Sequence, residues 1–185
     1  MKKIILASAS PRRKELLSTA GIEFEICVKD VDETIPEGTP PADAAEMTAT
    51  KKALATAAEH KNDIVIGADT IVVAGGKILG KPHSKEEAID MLTMLSGREH
   101  TVITGVCIAC DGKTEVFHKE SKVRFYPLTD KEIADYVATG EPMDKAGAYG
   151  IQGKGSVLVE GIEGDYFNIV GLPVASTVRA IRKFQ

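Results

Sequence analysis

Asp63-Ile64-Val65-Ile66-Gly67-Ala68-Asp69-Thr70-Ile71-Val72-Val73-Ala74-Gly75-Gly76-Lys77-Ile78-Leu79-Gly80-Lys81-Pro82 is the stretch on which the fold turns. Its β-branched run, bounded by turn residues, predicts a buried or half-buried strand. Asp69 interrupts that run, and an isolated carboxylate resists leaving water. Hydrogen bonds, a cation or a wet cleft must offset the penalty, so Asp69 is either bonded to a neighbouring loop or a catalytic or metal-binding carboxylate. Gly75-Gly76 predicts a tight hairpin turn between 71–74 and 77–79. Gly75-x-x-x-x-Gly80-Lys81-Pro82 nearly spells a phosphate-binding P-loop, but Pro82 stands where the metal-binding hydroxyl belongs. The P-loop is rejected, and Lys81 remains as a point charge suited to phosphate.

Around this stretch, 185 residues with 43% hydrophobic and 27% charged content describe one globular domain, or one domain with a modest appended lobe, with a sizeable core. The net charge of −4 argues against a general nucleic-acid binder. No leader-like segment precedes the first expected strand, and no apolar run approaches membrane-spanning length, so the expectation is cytoplasmic with no membrane partner. Cys27, Cys107 and Cys110 do not make a disulfide framework. Cys107 and Cys110 lie three apart on an expected strand, so they face opposite sides of the sheet and form no metal pair.

Towards the N-terminus, a short strand at 4–7 leads to Ser10-Pro11, an N-cap followed by a first-turn proline, and a helix stopped at Gly21. Arg12, Arg13 and Lys14 crowd the first turn, where the helix dipole favours acids. An anion among them, beside Ser8 and Ser10, accounts for this pattern; a solvated basic face is the alternative. A strand at 23–28 precedes Asp30-Val31-Asp32-Glu33, which is either solvated loop or part of a divalent-cation site. An Ala-rich helix at 42–60 carries Lys51 and Lys52, by default surface lysines.

Towards the C-terminus, Ser84 and Glu87 predict a capping box, and Ala88, Met91, Leu92 and Leu95 one buried helix face ended by Gly97. Strands at 101–109 and 114–125 flank an Asp111-Gly112 turn, and Thr129 with Glu132 predicts a second capping box. Residues 141–155, with Lys145, Gln152 and Lys154 among closely spaced glycines, read as a loop that either recognises a small polar ligand or is merely flexible. Strands at 156–162 and 166–170 and a final helix with Val174, Val178 and Ile181 inward complete the expectation. The four histidines lack ligand spacing.

Cations at turns and at a helix start, with carboxylates nearby, suit triphosphate chemistry: the cations neutralise phosphate and the carboxylates hold Mg²⁺. An ordinary aspartate, with a pKa of about 3.9, is a poor base alone, but water acidified by a metal makes it sufficient. Ser8-Ala9-Ser10-Pro11-Arg12-Arg13, Gly67-Ala68-Asp69-Thr70, Gly80-Lys81-Pro82, the run Asp144 to Gly153, Gly164-Asp165-Tyr166 and Gly171-Leu172-Pro173 resemble, together and in order, the Maf family of nucleoside triphosphate pyrophosphatases.

The resemblance implies a single α/β domain over 1–185: a mixed, bent sheet flanked by helices, with a central cleft between two lobes, similar to inosine triphosphate pyrophosphatase. It implies hydrolysis of a nucleoside triphosphate to monophosphate and pyrophosphate with a divalent metal, Mg²⁺ or Mn²⁺. Carried over, Asp69 is the general base and a metal ligand, and Glu33 a metal or catalytic carboxylate. Ser8, Arg13, Lys52 and Lys81 are phosphate contacts, and Arg12, Thr70 and Gln152 mark the branch acting on dTTP and UTP. Family analogy also implies a homodimer. A link of the family to inhibition of septum formation supplies the alternative, a non-catalytic nucleotide-binding regulator.

Overall fold

The computed structural model describes residues 2–185. In chain order they form β1 (Ile4–Leu6), α1 (Pro11–Thr19), β2 (Glu25–Ile26), α2 (Pro41–Ala57), β3 (Ile64–Ala74), β4 (Lys77–Leu79), α3 (Lys85–Leu95), β5 (Glu99–Cys110), β6 (Lys113–Phe125), α4 (Asp130–Ala138), β7 (Val159–Glu163), α5 (Tyr166–Val170) and α6 (Val174–Ile181). The strands make one sheet in the order β2-β1-β3-β5-β6-β7, with β4 paired to β3. β1 runs parallel to β2 and β3, whereas β4 and β7 run antiparallel to β3 and β6, so the sheet is mixed and the expected α/β class holds. No helix among the described residues is long and apolar enough to cross a membrane.

Two compact units divide the chain, and β3, β5 and β6 each contribute residues to both. The first comprises the residues up to Thr70, Thr104–Lys119 and Gly171–Gln185. Its core places Ala49 and Ala53 of α2 against Ile5, Ala7, Val65, Cys107 and Ala109. Small residues on α2 let the helix lie almost on the strand backbones. A Cβ at Gly67 would come 2.2 Å from the Ala49 carbonyl oxygen, and one at Gly105 would come 2.4 Å from the Ala45 carbonyl carbon. Only glycine fits at either point. Burial pushes the Cys107 thiol up to about 11, and all three cysteines are free.

The second unit comprises Ile71–Ile103 and Glu120–Val170. The expected face of α3, Ala88, Met91, Leu92 and Leu95, is buried with Ile133, Tyr136 and Val137 of α4. Thr129 and Glu132 form the predicted capping box. The β3–β4 register, Val72 with Leu79 and Ala74 with Lys77, leaves Gly75-Gly76 as a two-residue turn with both φ positive, as a hairpin requires and a P-loop does not. His100, Phe125 and Tyr149 stack edge to face, with His100 Nε2 2.7 Å from the Tyr149 hydroxyl.

Several expectations give way to tertiary context. The strand at 23–28 shrinks to Glu25–Ile26, both exposed at the sheet edge, and the 42–60 helix spans Pro41–Ala57. Glu87 accepts the N–H of His83 instead of that of Ser84, so only the Ser84 half of that capping box forms. Residues 141–155 are mostly short 3₁₀ turns, and Gly153–Leu158 continues them where a strand was expected. Residues 166–170 are helical despite their β-favouring side chains, because the Asp165 carboxylate accepts the Phe167 N–H and starts a turn that buries Asn168, Ile169 and Val170. On α6 the buried residues are Thr177, Ala180 and Ile181; Val174 and Val178 are half-buried.

Two outcomes follow for stability. Gly67→Ala drives a methyl into the α2 backbone and is expected to lower stability by about 1–3 kcal/mol, read from the shift of a urea unfolding midpoint. Burial pushes His100 down to about 4 from 6.5. An imidazole neutral in the fold but protonatable when unfolded stabilises fully above pH 6.5, and that contribution is lost as pH falls towards 4. The melting temperature should therefore fall across this window, and the fall should be shallower in His100→Gln.

Candidate active site

Strand parity sets up the site in the first unit. Val65 and Gly67 of β3 face α2, so Asp69 faces α2 as well, while Thr70 points to the other side. Opposite Asp69, one turn from Ala49 and next to Ala53, stands Lys52. Its ammonium lies 2.9 Å from Asp69 Oδ1 and 3.1 Å from Glu33 Oε1, so one cation joins two carboxylates. The Lys52 and Asp69 side chains are 17% and 19% exposed. The default expectation of a surface lysine is thus overturned at Lys52, because the glycine at 67 brings its helix onto the strand. Lys51 donates instead to the carbonyls of Asp32 and Thr34, both at 2.9 Å, and so fastens the loop that carries Glu33.

On the other side of β3, the Arg13 guanidinium is a buried hub. Its Nε donates to the Gly171 carbonyl at 2.8 Å, one terminal nitrogen to Ser8 Oγ at 3.1 Å, and the other to Thr70 Oγ1 at 3.0 Å. Thr70 Oγ1 lies 2.9 Å from the buried Thr104 Oγ1. Ser8 Oγ also accepts the Ser10 N–H, and Ser10 caps α1 by backbone conformation without a side-chain bond. Burial pulls the Arg13 pKa down; the charges of Asp69 and Glu33 oppose that pull, and Arg12 adds to it. Arg12, half-buried in the first turn of α1, therefore belongs to the same electrostatic neighbourhood.

Ser8, Arg13 and Thr70 thus share one network, and Glu33, Lys52 and Asp69 another. Sequence reasoning missed Thr104 and the Gly171 carbonyl in the first and Lys51 beside the second. Thr104 carried a signal, a hydroxyl inside a buried apolar strand, much as Asp69 does. Lys81 and Gln152 belong to the second unit: Lys81 is exposed after β4, and Gln152 is half-buried just before Gly153. There Glu141 accepts the Tyr136 hydroxyl and the N–H groups of Lys154 and Gly155, each at 3.0 Å. The Lys145 ammonium is spent on the Glu141 carbonyl and the Asp144 carboxylate.

Glu33 and Asp69 are hard oxygen donors converging on one cation. No group of three His, Cys, Asp or Glu residues among those described is placed to hold a metal on protein ligands alone. Mg²⁺ is commonly bound by one or two carboxylates with substrate phosphates and water completing its shell, so this donor set fits a metal that arrives with a nucleotide.

The family model described as Maf-like protein matches residues 3–184. The chain belongs to the Maf family. Among its Maf relatives, a Bacillus mycoides protein named dTTP/UTP pyrophosphatase is 53% identical over 184 residues, covering 100% of this chain and 96% of that one. A Geobacillus protein of the same name is 53% identical over 183 residues, covering 99% and 98%. A solved HAM1 protein from Coxiella burnetii superimposes with a TM-score of 0.52 at 16% identity, over 99% of this chain and 100% of that one, and so shares the fold.

The Arg13 hub predicts an intolerance. Arg13→Lys keeps the charge but cannot reach Gly171, Ser8 and Thr70 together, so buried acceptors lose their donor. Stability should fall by about 2–3 kcal/mol, measured by urea unfolding.

Proposed function

We propose that this Maf-family chain hydrolyses dTTP and UTP to the nucleoside monophosphate and pyrophosphate. The observation that carries this is the Lys52 ammonium shared between Asp69 and Glu33, with the buried Arg13 guanidinium bonded to the next residue along β3. The names and full-length coverage of the relatives support the substrate class. Phosphoryl chemistry asks a protein mainly for positioning and neutralisation of charge. Arg13, held by three acceptors, offers a fixed positive charge with little left to reorganise, which is what electrostatic stabilisation requires. Ser8 Oγ accepts from Arg13 and keeps its own O–H to donate to a phosphate oxygen. Lys52 exchanges a carboxylate partner for phosphate, and Lys81 is a further phosphate contact on the family pattern.

Glu33 and Asp69 would hold a divalent metal, Mg²⁺ or Mn²⁺, which would supply further neutralisation and make water more acidic. Asp69 takes the proton of the attacking water as the α–β anhydride opens. Thr70, bonded to Arg13, sets the guanidinium, while Arg12 and Gln152 serve substrate recognition. The same proposal takes a small nucleotide as the only polyanion bound, in the cytoplasm, by a homodimer on family analogy.

Pyrophosphate release should be assayed with Mg²⁺ or Mn²⁺ across dTTP, UTP, CTP, GTP, 7-methyl-GTP and ITP. Selective release from dTTP and UTP is expected, lowered about 10²-fold or more in a folded Asp69→Asn variant. Undiminished turnover by that variant would sink Asp69 as the base. Nucleotide binding without release from any substrate would favour the non-catalytic regulator.

A further inference from the structure

In the second unit, one carboxylate organises the turn that carries Gln152. Glu141 Oε1 accepts both the Tyr136 hydroxyl and the Gly155 N–H, and Oε2 accepts the Lys154 N–H. Tyr136 in turn accepts the Gly150 N–H at 3.1 Å. Residues 150, 154 and 155 are thereby tied to α4 and to the turn that follows it, and Gln152 sits between the tied points. Packing closes the same ring: a Cβ on Gly155 would lie 2.3 Å from the Gly150 carbonyl oxygen, and one on Gly153 would lie 2.9 Å from Glu141 Oε2. Burial pushes the Glu141 carboxyl up, but the N–H groups of Lys154 and Gly155, the Tyr136 hydroxyl and the Lys145 charge outweigh it and hold the group below the usual carboxylate range. Glu141 therefore stays an acceptor-only group, matched to three donors.

We infer that Glu141, acting with Tyr136, is a positioning residue for base selection: it fixes the backbone on either side of Gln152 so that the amide meets the base edge at one place. The inference rests on Gln152 reading the base, as proposed above. A primary amide presents one acceptor and two donors, which suit the N3–H and carbonyl edge of uracil or thymine. Discrimination by such a group depends on its being unable to follow a different edge, because an adaptable carrier re-forms its bonds to the wrong base. The glycines at 150, 153 and 155 would make this segment adaptable if nothing tied it, and the Glu141 network supplies the tie.

Glu141→Gln is the sharpest probe. Each carboxylate oxygen accepts a backbone N–H, so whichever way the new amide is turned, its NH₂ group meets a donor. Tyr136→Phe is the second probe, removing the tether to Gly150 while leaving the two backbone bonds of Glu141. Both are compared with Gln152→Ala in kcat/KM for pyrophosphate release from UTP and CTP, and in the ratio of the dissociation constants of the two nucleotides. Glu141→Gln and Tyr136→Phe should each reduce the UTP-to-CTP preference about tenfold, in the same direction as Gln152→Ala. A merely structural role lowers both nucleotides by one factor and leaves the ratio alone, and that result overturns the inference. So does a ratio that changes in Glu141→Gln but not in Gln152→Ala, which also removes Gln152 as the reader. A wild type that releases no pyrophosphate from either nucleotide removes the proposed function, while the ratio of dissociation constants still decides the role of Glu141.

Discussion

Two missing side chains bring the first unit together. Gly67 and Gly105 let α2 approach β3 and β5 to backbone contact, and the alanines of α2 complete the fit. The gain is dense packing of an alanine-rich helix face on the strands, where dispersion contacts are made between main chain and small side chains as well as with Ile5 and Val65. Position follows from this contact. Lys52 stands on the same helix as Ala49 and Ala53, so the closeness that buries them also sets its ammonium against Asp69. The price of Asp69 in a strand interior is thus met by an element whose placement is decided two residues earlier, at Gly67.

Charge on the opposite side of the strand is handled differently. Among the described residues no carboxylate is bonded to Arg13; its hydrogen bonds go to a carbonyl and two hydroxyls. A guanidinium satisfied by neutral acceptors keeps a larger unneutralised field than one locked in an ion pair, and the field is available to an anion. Lys52 is the complementary case, an ammonium already balanced by Asp69 and Glu33. One cation is thus held by neutral acceptors and the other is shared between two carboxylates. The crowding of Arg12 and Arg13 at the start of α1, contrary to the helix dipole, becomes intelligible once Arg13 is drawn off to Gly171 and Thr70.

Much of this was legible in the chain, and the limits have physical causes. Periodicity located β3, α3 and the Gly75-Gly76 hairpin because each is set by local pattern. The polar interruption at Asp69-Thr70 flagged the site, since burying such residues demands a reason. Lys52 looked like a surface lysine because a helix-surface pattern cannot register a neighbouring strand without a Cβ. The helix at 166–170 reads as a strand because four β-favouring residues, Tyr166, Phe167, Ile169 and Val170, outvote a single capping aspartate until tertiary burial is known. The ties from Glu141 to Lys154 and Gly155 were invisible because bonds to backbone N–H groups leave no mark on side-chain identity at the receiving end.

Neighbouring residues on β3 serve the two sides of the sheet, Asp69 towards α2 and Thr70 towards Arg13. Gene-level variation meets this arrangement as a parity rule. Losing or gaining one codon between Gly67 and Asp69 would turn the carboxylate away from Lys52 and the hydroxyl away from Arg13 together, although hydrophobic content would hardly change. A two-codon change would keep the faces but shift both groups by about 7 Å along the strand, beyond hydrogen-bond reach. Within β3, lineages can therefore exchange apolar side chains away from Gly67 but not alter the strand's length, and a length-conserving drift in sequence is the signature such a strand should leave.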